Sequence, residues 1–198
     1  FSPERTGSMP MNTHGQDSGY SIQAQWPVKD GTLRMGHEWH RFSLNDWWPP
    51  VTGSMMMGPN TYVNIQDGRR ERLALYGEWD HTLSPQWSTS MGLRHETVSM
   101  DAGEVQGYGC GMMCAPGTAA AAAFNASDRH RRDQNIDISL LARYTPAPTA
   151  TYEFGLARKT RSPNLYERYS WGKGTMAMTM IGWFGDANGY VGSLSLQP

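Results

Sequence analysis

The stretch RLALYGEWDHTL, residues 72–83, decides how this chain folds. Its odd positions are mostly apolar and its even positions are mostly polar: Leu73, Leu75, Gly77, Trp79 and Leu83 against Arg72, Ala74, Tyr76, Glu78, Asp80 and Thr82. A period of two predicts a β-strand with one apolar and one polar face. After a turn at residues 84–86 the alternation resumes, so the two segments predict a hairpin.

The same pattern recurs on both sides of this hairpin. It predicts strands at about residues 18–26, 31–46, 70–83, 86–100, 134–145 and 150–160. Turns of three to five residues close the hairpins, and three long loops join them, at about residues 47–69, 101–133 and 161–190. The sequence therefore predicts an all-β fold, an antiparallel meander of long hairpins. Short turns at one end and long loops at the other are typical of an outer-membrane β-barrel.

Aromatic residues flank the short turns on the apolar parity: Trp26, Trp87, Tyr144 and Tyr152. Such a girdle is expected where a barrel meets the membrane interface, and charges on the other parity would face a wet lumen. A half-buried soluble sheet also alternates and is the alternative. Six strands cannot close a large barrel, so we expect residues 1–198 to be part of a multi-pass β-barrel domain from a longer protein of the bacterial outer membrane.

The alternation changes phase once, near Arg41. Phe42 and Leu44 take the opposite parity to the apolar residues before them. This change indicates either a β-bulge or the end of the membrane-facing stretch.

Charge and motif content exclude several function classes. The chain carries 17 Lys and Arg against 18 Asp and Glu, scattered along its length, so no nucleic-acid partner is expected. His37 and His40 stand three apart on a predicted strand and face opposite sides, unlike the i, i+4 histidines of a zinc-protease helix. Because no catalytic triad, carboxylate-pair motif or phosphate-binding loop is present, we predict no enzyme and no organic cofactor.

Two segments after the last predicted strand carry a family resemblance. Residues 157–169, ARKTRSPNLYERY, resemble a motif of TonB-dependent outer-membrane receptors, and residues 189–198, GYVGSLSLQP, resemble the segment that follows it, with Gly192-Ser193 replacing Asn-Pro. Residues 36–42, 45–50 and 183–186 look like the copper-receptor branch. The resemblance implies a 22-stranded transmembrane barrel, an N-terminal plug, and energy delivered by the TonB–ExbB–ExbD complex to a TonB box. We expect the plug and the box in a missing N-terminal part.

Methionine is over-represented, with 13 residues. Ten lie outside the strand cores in clusters: Met9 and Met11; Met55, Met56 and Met57; Met112 and Met113; Met176, Met178 and Met180. The thioether is a soft, neutral ligand that suits Cu(I), and weak ligands on loops can capture an ion and release it. Met35 and Met91 lie on apolar faces and are predicted to be packing residues.

Each cluster also has a structural interpretation. Cys110 and Cys114 flank the pair Met112 and Met113; they fit a disulfide, copper ligation by reduced thiols with a neighbouring Met, or free thiols. The cluster at residues 176–180 forms a thioether ladder if extended and otherwise an apolar patch. The first cluster gains an imidazole from His14 and forms either a mixed metal site or a solvated loop.

Together these features predict TonB-dependent transport of copper across the outer membrane, with Cu(I) favoured as the substrate and Met-, Cys- and His-rich extracellular loops capturing it. A ferric-siderophore receptor is an alternative that would use aromatic residues: Trp47, Trp48, Trp171 and Trp183. A soluble periplasmic copper-binding β-protein is a second alternative and requires buried Trp side chains beside the turns. Outer-membrane lipid is an expected partner; the charge run at residues 128–133 fits a solvated loop base, a lumen rim or a contact to anionic lipopolysaccharide.

Overall fold

The computed structural model describes residues 11–173 and 191–198. Within them the chain forms one six-stranded antiparallel sheet in which each strand pairs with the next along the sequence. In chain order the elements are β1 (Asn12–Val28), β2 (Gly31–Trp48), β3 (Tyr62–Ser84), β4 (Trp87–Asp101), α1 (Ala115–Asn125), β5 (Arg131–Ala147), β6 (Ala150–Arg158) and α2 (Leu165–Tyr169). The predicted all-β meander is confirmed.

The two ends of the sheet differ. Two-residue turns close the three hairpins at one end, which we call the turn end, and they are shorter than predicted. At the first of them Asp30 adopts a left-handed backbone with φ of 56°, a conformation that Asp tolerates better than most residues. Residues 49–61 and 102–130 connect the hairpins at the opposite end, the loop end.

Several strands extend further towards the loop end than the alternation predicts. β1 begins at Asn12 rather than residue 18, and β3 begins at Tyr62 rather than residue 70. Strand pairing continues there, but the side chains beyond the apolar stretch become polar, as at Gln16 and Ser43. Without a contrast between the two faces, the sequence loses the period that marks a strand.

Cross-strand pairing places the apolar positions of the strands on one face, which we call the apolar face. One of its rows runs through Met35, Gly77, Leu93 and Ile138. Leu93 is 58% exposed and Ile138 is 50% exposed. Side chains of this kind are normally buried in a soluble protein, and a contiguous exposed patch of them marks a surface that contacts another apolar medium.

Aromatic side chains border the apolar face at the turn end. The rings of Trp87 and Tyr144 stack at 4.5 Å between centroids, and Tyr144 lies 6.4 Å from Tyr152. Trp26 and Trp87 are exposed, at 47% and 38%. The soluble alternative needs these indoles to be buried, so the structure argues against it.

The packed core lies at the loop end of the other face, the polar face, which carries the charged strand residues. Loop residues and α2 cover the strand ends there, and the buried apolar members are Leu44, Trp48, Tyr62, Ile65, Val98, Met100, Ala102, Val105, Tyr108, Cys114, Ala121, Phe124, Leu165, Tyr169 and Trp171. Phe42 packs against this core as well. The phase change near Arg41 therefore marks the end of the apolar band, because strand pairing is unbroken through Leu44 and its register shifts only beyond that residue.

Helices contribute little. Helix α1 has 11 residues, among them the five consecutive alanines 119–123, and α2 has only five residues. In the described part of the chain, neither is long or apolar enough to cross a membrane.

Candidate functional site

The first loop folds into a compact turn that displays methionine. The backbone N–H of Val51 donates to the carbonyl of Met57 at 2.7 Å, and the Ser54 hydroxyl accepts from the N–H groups of Met56 and Met57 at 3.3 and 3.1 Å. These bonds fix the backbone of the turn. Met55 is 83% exposed and Met56 is 43% exposed. Their thioethers therefore face outward from an ordered backbone.

The second loop displays another methionine pair on a covalently closed turn. Cys110 and Cys114 form a disulfide around the 3-10 turn Gly111–Cys114. Gly111 has φ of 66°, which favours glycine. Between the cysteines, Met112 is 94% exposed and Met113 is 60% exposed. Of the three interpretations of the cysteine pair, the structure shows the disulfide.

The two loops touch at this point. The sulfur of Cys114 lies 3.7 Å from the carbonyl oxygen of Met56, a contact rather than a hydrogen bond because a disulfide sulfur carries no hydrogen. Met57 and Cys110 both pack against the loop-end core. The structure thus brings the Met55–Met57 turn and the Cys110–Cys114 turn side by side, a proximity that the sequence did not indicate.

The other predicted ligands are not joined to this pair of turns by any contact that the described residues show. Met11 is 50% exposed just before β1, and His14 is exposed near the loop end of β1. Met9, Met176, Met178 and Met180 lie outside the described residues. Residues 11–173 and 191–198 hold no group of three His, Cys, Asp or Glu side chains placed to bind a metal ion.

Helix α2 is held by charged side chains that the sequence motif contains. Arg161 donates to both carboxylate oxygens of Glu167, at 2.9 and 3.0 Å. The Asn164 side chain accepts from the Glu167 N–H at 2.8 Å while Glu167 accepts from the Asn164 N–H at 2.7 Å, which completes a capping box. The hydrogen bonds from Arg161 are the main reason that the pKa of Glu167 is lowered.

Arg168 at the end of α2 forms a buried ion pair that the sequence analysis missed. It is 1% exposed, and its Nη2 donates to Asp133 Oδ1 at 2.9 Å and to the carbonyl of Leu196 at 2.8 Å. The next residue, Tyr169, donates its hydroxyl to the carbonyl of Arg129 at 2.8 Å. These bonds connect α2 to β5, to the second loop and to the segment 191–198. Charge content alone gives no signal for this partner, because Asp133 looks like one member of a solvated charge run.

Asp46 is a second buried charge at the loop end. It is fully buried in β2 and accepts from the Thr13 hydroxyl at 2.9 Å and from the Asn64 amide at 2.8 Å. Burial raises the pKa of this carboxyl, although the hydrogen bonds from Asn64, Thr13 and Tyr166 oppose the shift. Burial and the nearby Asp46 charge raise the pKa of Tyr166 to about 12. Asp46 therefore joins β1, β2, β3 and α2 through one carboxylate.

Charges nearer the turn end of the polar face compensate one another. Arg94 lies 2.7 Å from Glu38 and 3.3 Å from Glu96, and Arg72 lies 3.4 Å from Glu96. Arg34 contacts Glu78 and Asp80 in the same way. Alternating charges on neighbouring strands make a polar surface that water can line.

His37 and His40 lie on opposite faces of β2, and most of the tryptophans considered as ligands are buried or half-buried. His37 pairs with Leu75 on the apolar face and His40 lies on the polar face, so the predicted opposite orientation is confirmed. Trp48 and Trp171 are 2% and 4% exposed, in the loop-end core. Trp47 is half-buried, and Trp183 lies outside the described residues.

Comparison with known families gives one match. Residues 2–198 match the family described as TonB dependent receptor-like, beta-barrel. Neither the curated proteins nor the solved structures gave a match.

Proposed function

The chain belongs to the TonB-dependent receptor β-barrel family, and we propose that it forms part of the wall of an outer-membrane importer whose cargo is copper. Members of this family are outer-membrane transporters driven through TonB, not enzymes. The exposed apolar face supplies the surface that such a wall presents to lipid, and the compensated charges supply the surface that it presents to water. Membership of the family thus supports a role in outer-membrane transport. The soft thioether ligands on the loops support copper as the cargo.

The observation that carries the copper proposal is the exposure of four thioethers on two adjoining turns: Met55, Met56, Met112 and Met113. These side chains gain little from packing where they lie, and their grouping on two adjoining turns favours a role as ligands. Neutral sulfur ligands favour Cu(I) over harder ions such as Mg²⁺ or Fe³⁺. Two turns of fixed backbone can offer such ligands without a large ordering cost on binding.

The disulfide changes the part that the cysteines take in this proposal. In a disulfide neither Cys110 nor Cys114 is a thiolate, so ligation by these sulfurs would require prior reduction. We propose that the bridge positions Met112 and Met113, and that capture uses the thioethers. The clusters with Met9, Met11 and His14, with Met57, and with Met176, Met178 and Met180 stay candidates for further ligands along the path.

A ferric-siderophore cargo is the less favoured alternative. Such a ligand would use exposed aromatic rings, whereas Trp48 and Trp171 are buried, and Trp171 stacks on Tyr62 at 5.0 Å between ring centroids. These aromatic side chains hold the loop-end core together. They are not presented to a ligand in the described structure.

The cargo is tested by metal titration and uptake. The intact receptor in detergent is titrated with Cu(I) under reducing conditions that leave the disulfide closed, and with a ferric chelate. The doubles M55L/M56L and M112L/M113L remove thioethers with little change in volume. The matched control M35L/M91L removes two thioethers from the apolar face. We expect each loop double, and not the control, to weaken Cu(I) binding about tenfold or more.

Two results would reject this proposal. Unchanged Cu(I) affinity in both loop doubles would remove the thioethers as ligands. Uptake of a ferric chelate, without copper accumulation, by cells that carry an active TonB complex would show that the cargo is wrong while leaving the family assignment intact.

A further inference from the structure

The apolar face ends, towards the loop end, in a belt of exposed arginines. Three strands each place one on the outward parity beyond their apolar residues: Arg41 on β2, Arg69 on β3 and Arg132 on β5. All three side chains are exposed. Within the described residues none of them forms a salt bridge or a side-chain hydrogen bond. We call these three residues the arginine belt.

The register fixes how the belt is spaced. Arg41 pairs with Glu71, Glu71 with Ser99, and Ser99 with Arg132, so the two arginines share one row across four strands. Three strand spacings separate them by about 14 Å. Arg69 lies on the strand next to Arg41, one row closer to the loops. A headgroup with more than one anionic group can therefore contact two of these cations together.

Acidic residues on the same rows leave the guanidinium groups available. Glu71 accepts from the Trp39 indole N–H at 2.6 Å, and Asp101 accepts from the N–H of Ala102 at 2.9 Å. Neither carboxylate lies within salt-bridge distance of a belt arginine. Three arginines against these two acids leave the rim of the apolar face positive.

Several arginines of the polar face, in contrast, have acidic partners. On the polar face, Arg34, Arg94 and Arg143 each lie within salt-bridge distance of a carboxylate. At the turn end the apolar face meets aromatic rings, and the nearest cation in the described residues is Lys29 in the first turn. On the apolar face of β2, β3 and β5, the unpaired arginines therefore lie only at the loop end.

We propose that the arginine belt binds the phosphate groups of phosphorylated lipids in the leaflet around the loop end. An apolar face in contact with acyl chains places its rim at the depth of the headgroups. The guanidinium group binds phosphate through two parallel hydrogen bonds, and it is less strongly hydrated than an ammonium group. This lipid site lies on the outside of the wall, so it is separate from any route that cargo takes.

The test uses diphosphoryl lipid A as the probe, with the same lipid stripped of both phosphates for comparison. The intact receptor in neutral detergent is titrated with each. The triple variant R41Q/R69Q/R132Q removes three positive charges from the belt. The control K29Q/R143Q/K159Q also removes three, from the first turn and the polar side. Barrel folding is verified by the migration of unheated samples on gels.

We expect the belt triple to weaken binding of the phosphorylated lipid about a hundredfold, since each basic side chain near an anionic surface contributes about fivefold. Its affinity should fall to that for the stripped lipid, while the control stays within about twofold of wild type. If the triple fails to fold, the singles Arg41→Gln and Arg132→Gln replace it, each about fivefold weaker. Unchanged binding in the belt variants, or an equal loss in the control, would overturn the proposal.

Discussion

Replacing Arg168 by Met is expected to loosen the loop end without unfolding the sheet. Arg168 and Asp133 have side chains only 1% and 6% exposed, and the pair bridges α2 to β5. Removing one member of a buried ion pair leaves the other charge uncompensated, which costs about 3–5 kcal/mol. The hydrogen bond from Arg168 to the carbonyl of Leu196 is lost as well, so the segment 191–198 should open with α2.

The assay is hydrogen exchange of the intact receptor, read for the amides of residues 110–130, 165–173 and 191–196. A loss of about 3 kcal/mol in local opening free energy raises exchange there by about a hundredfold or more. Amides in the middle of β3 and β4 should keep their wild-type rates. The matched control is Arg161→Gln, because this arginine belongs to the same motif but its side chain is 69% exposed in its pair with Glu167; it should cost about 1 kcal/mol or less.

A double variant separates the ion pair from simple loss of packing. Arg168→Met together with Asp133→Asn leaves no buried charge, so it should recover at least about 2 kcal/mol relative to the sum of the two singles. Additive singles, or exchange in Arg168→Met no faster than in Arg161→Gln, would refute the view that this ion pair anchors the loop end.

Two further perturbations follow from burial and from the two faces of the sheet. Burial raises the pKa of Asp46, so the folded state holds its proton more tightly than the unfolded state; this stabilisation is present at low pH and is lost as pH rises through the folded pKa. Asp46→Asn should therefore lower the pH dependence of the unfolding temperature as pH rises above the ordinary Asp value of about 4, and an unchanged slope would contradict this. Leu140→Arg on the apolar face should cost about 2–4 kcal/mol in bilayer folding titrations, whereas Ser139→Arg on the polar face should cost less than about 1 kcal/mol; equal costs would mean that the faces are misassigned.

Most of the sheet could be predicted from the sequence because apolar and polar side chains alternate along each strand, one kind on each face. Wherever one face is apolar and the other charged, as in residues 72–83 and 136–144, the predicted strands agree with the structure. The prediction fell short at the strand ends, where β1 and β3 extend beyond the apolar band. Pairing there depends on backbone hydrogen bonds and on the loops packed above, neither of which imposes a period on the side chains.

The candidate site could be predicted only in composition. The sequence predicted methionine clusters on two loops, at residues 55–57 and 112–113, and the structure shows that Met55 and Met112 are the most exposed of them. That the two turns adjoin depends on the Cys114 contact to Met56, between residues 58 positions apart. Alternation and clustering along the sequence give no information about a contact between residues so far apart.

The sequence by itself determined which face of each strand is apolar and which is polar, because a side chain's solvent preference belongs to that residue alone. Only the tertiary structure decided which charges became buried, such as Asp46 and Arg168, and which remained free at the rim, such as Arg41 and Arg132. Charge and position in the sequence do not tell the buried pair from the exposed pair. Their burial and pairing differ because both depend on which residues the rest of the chain places beside each of them.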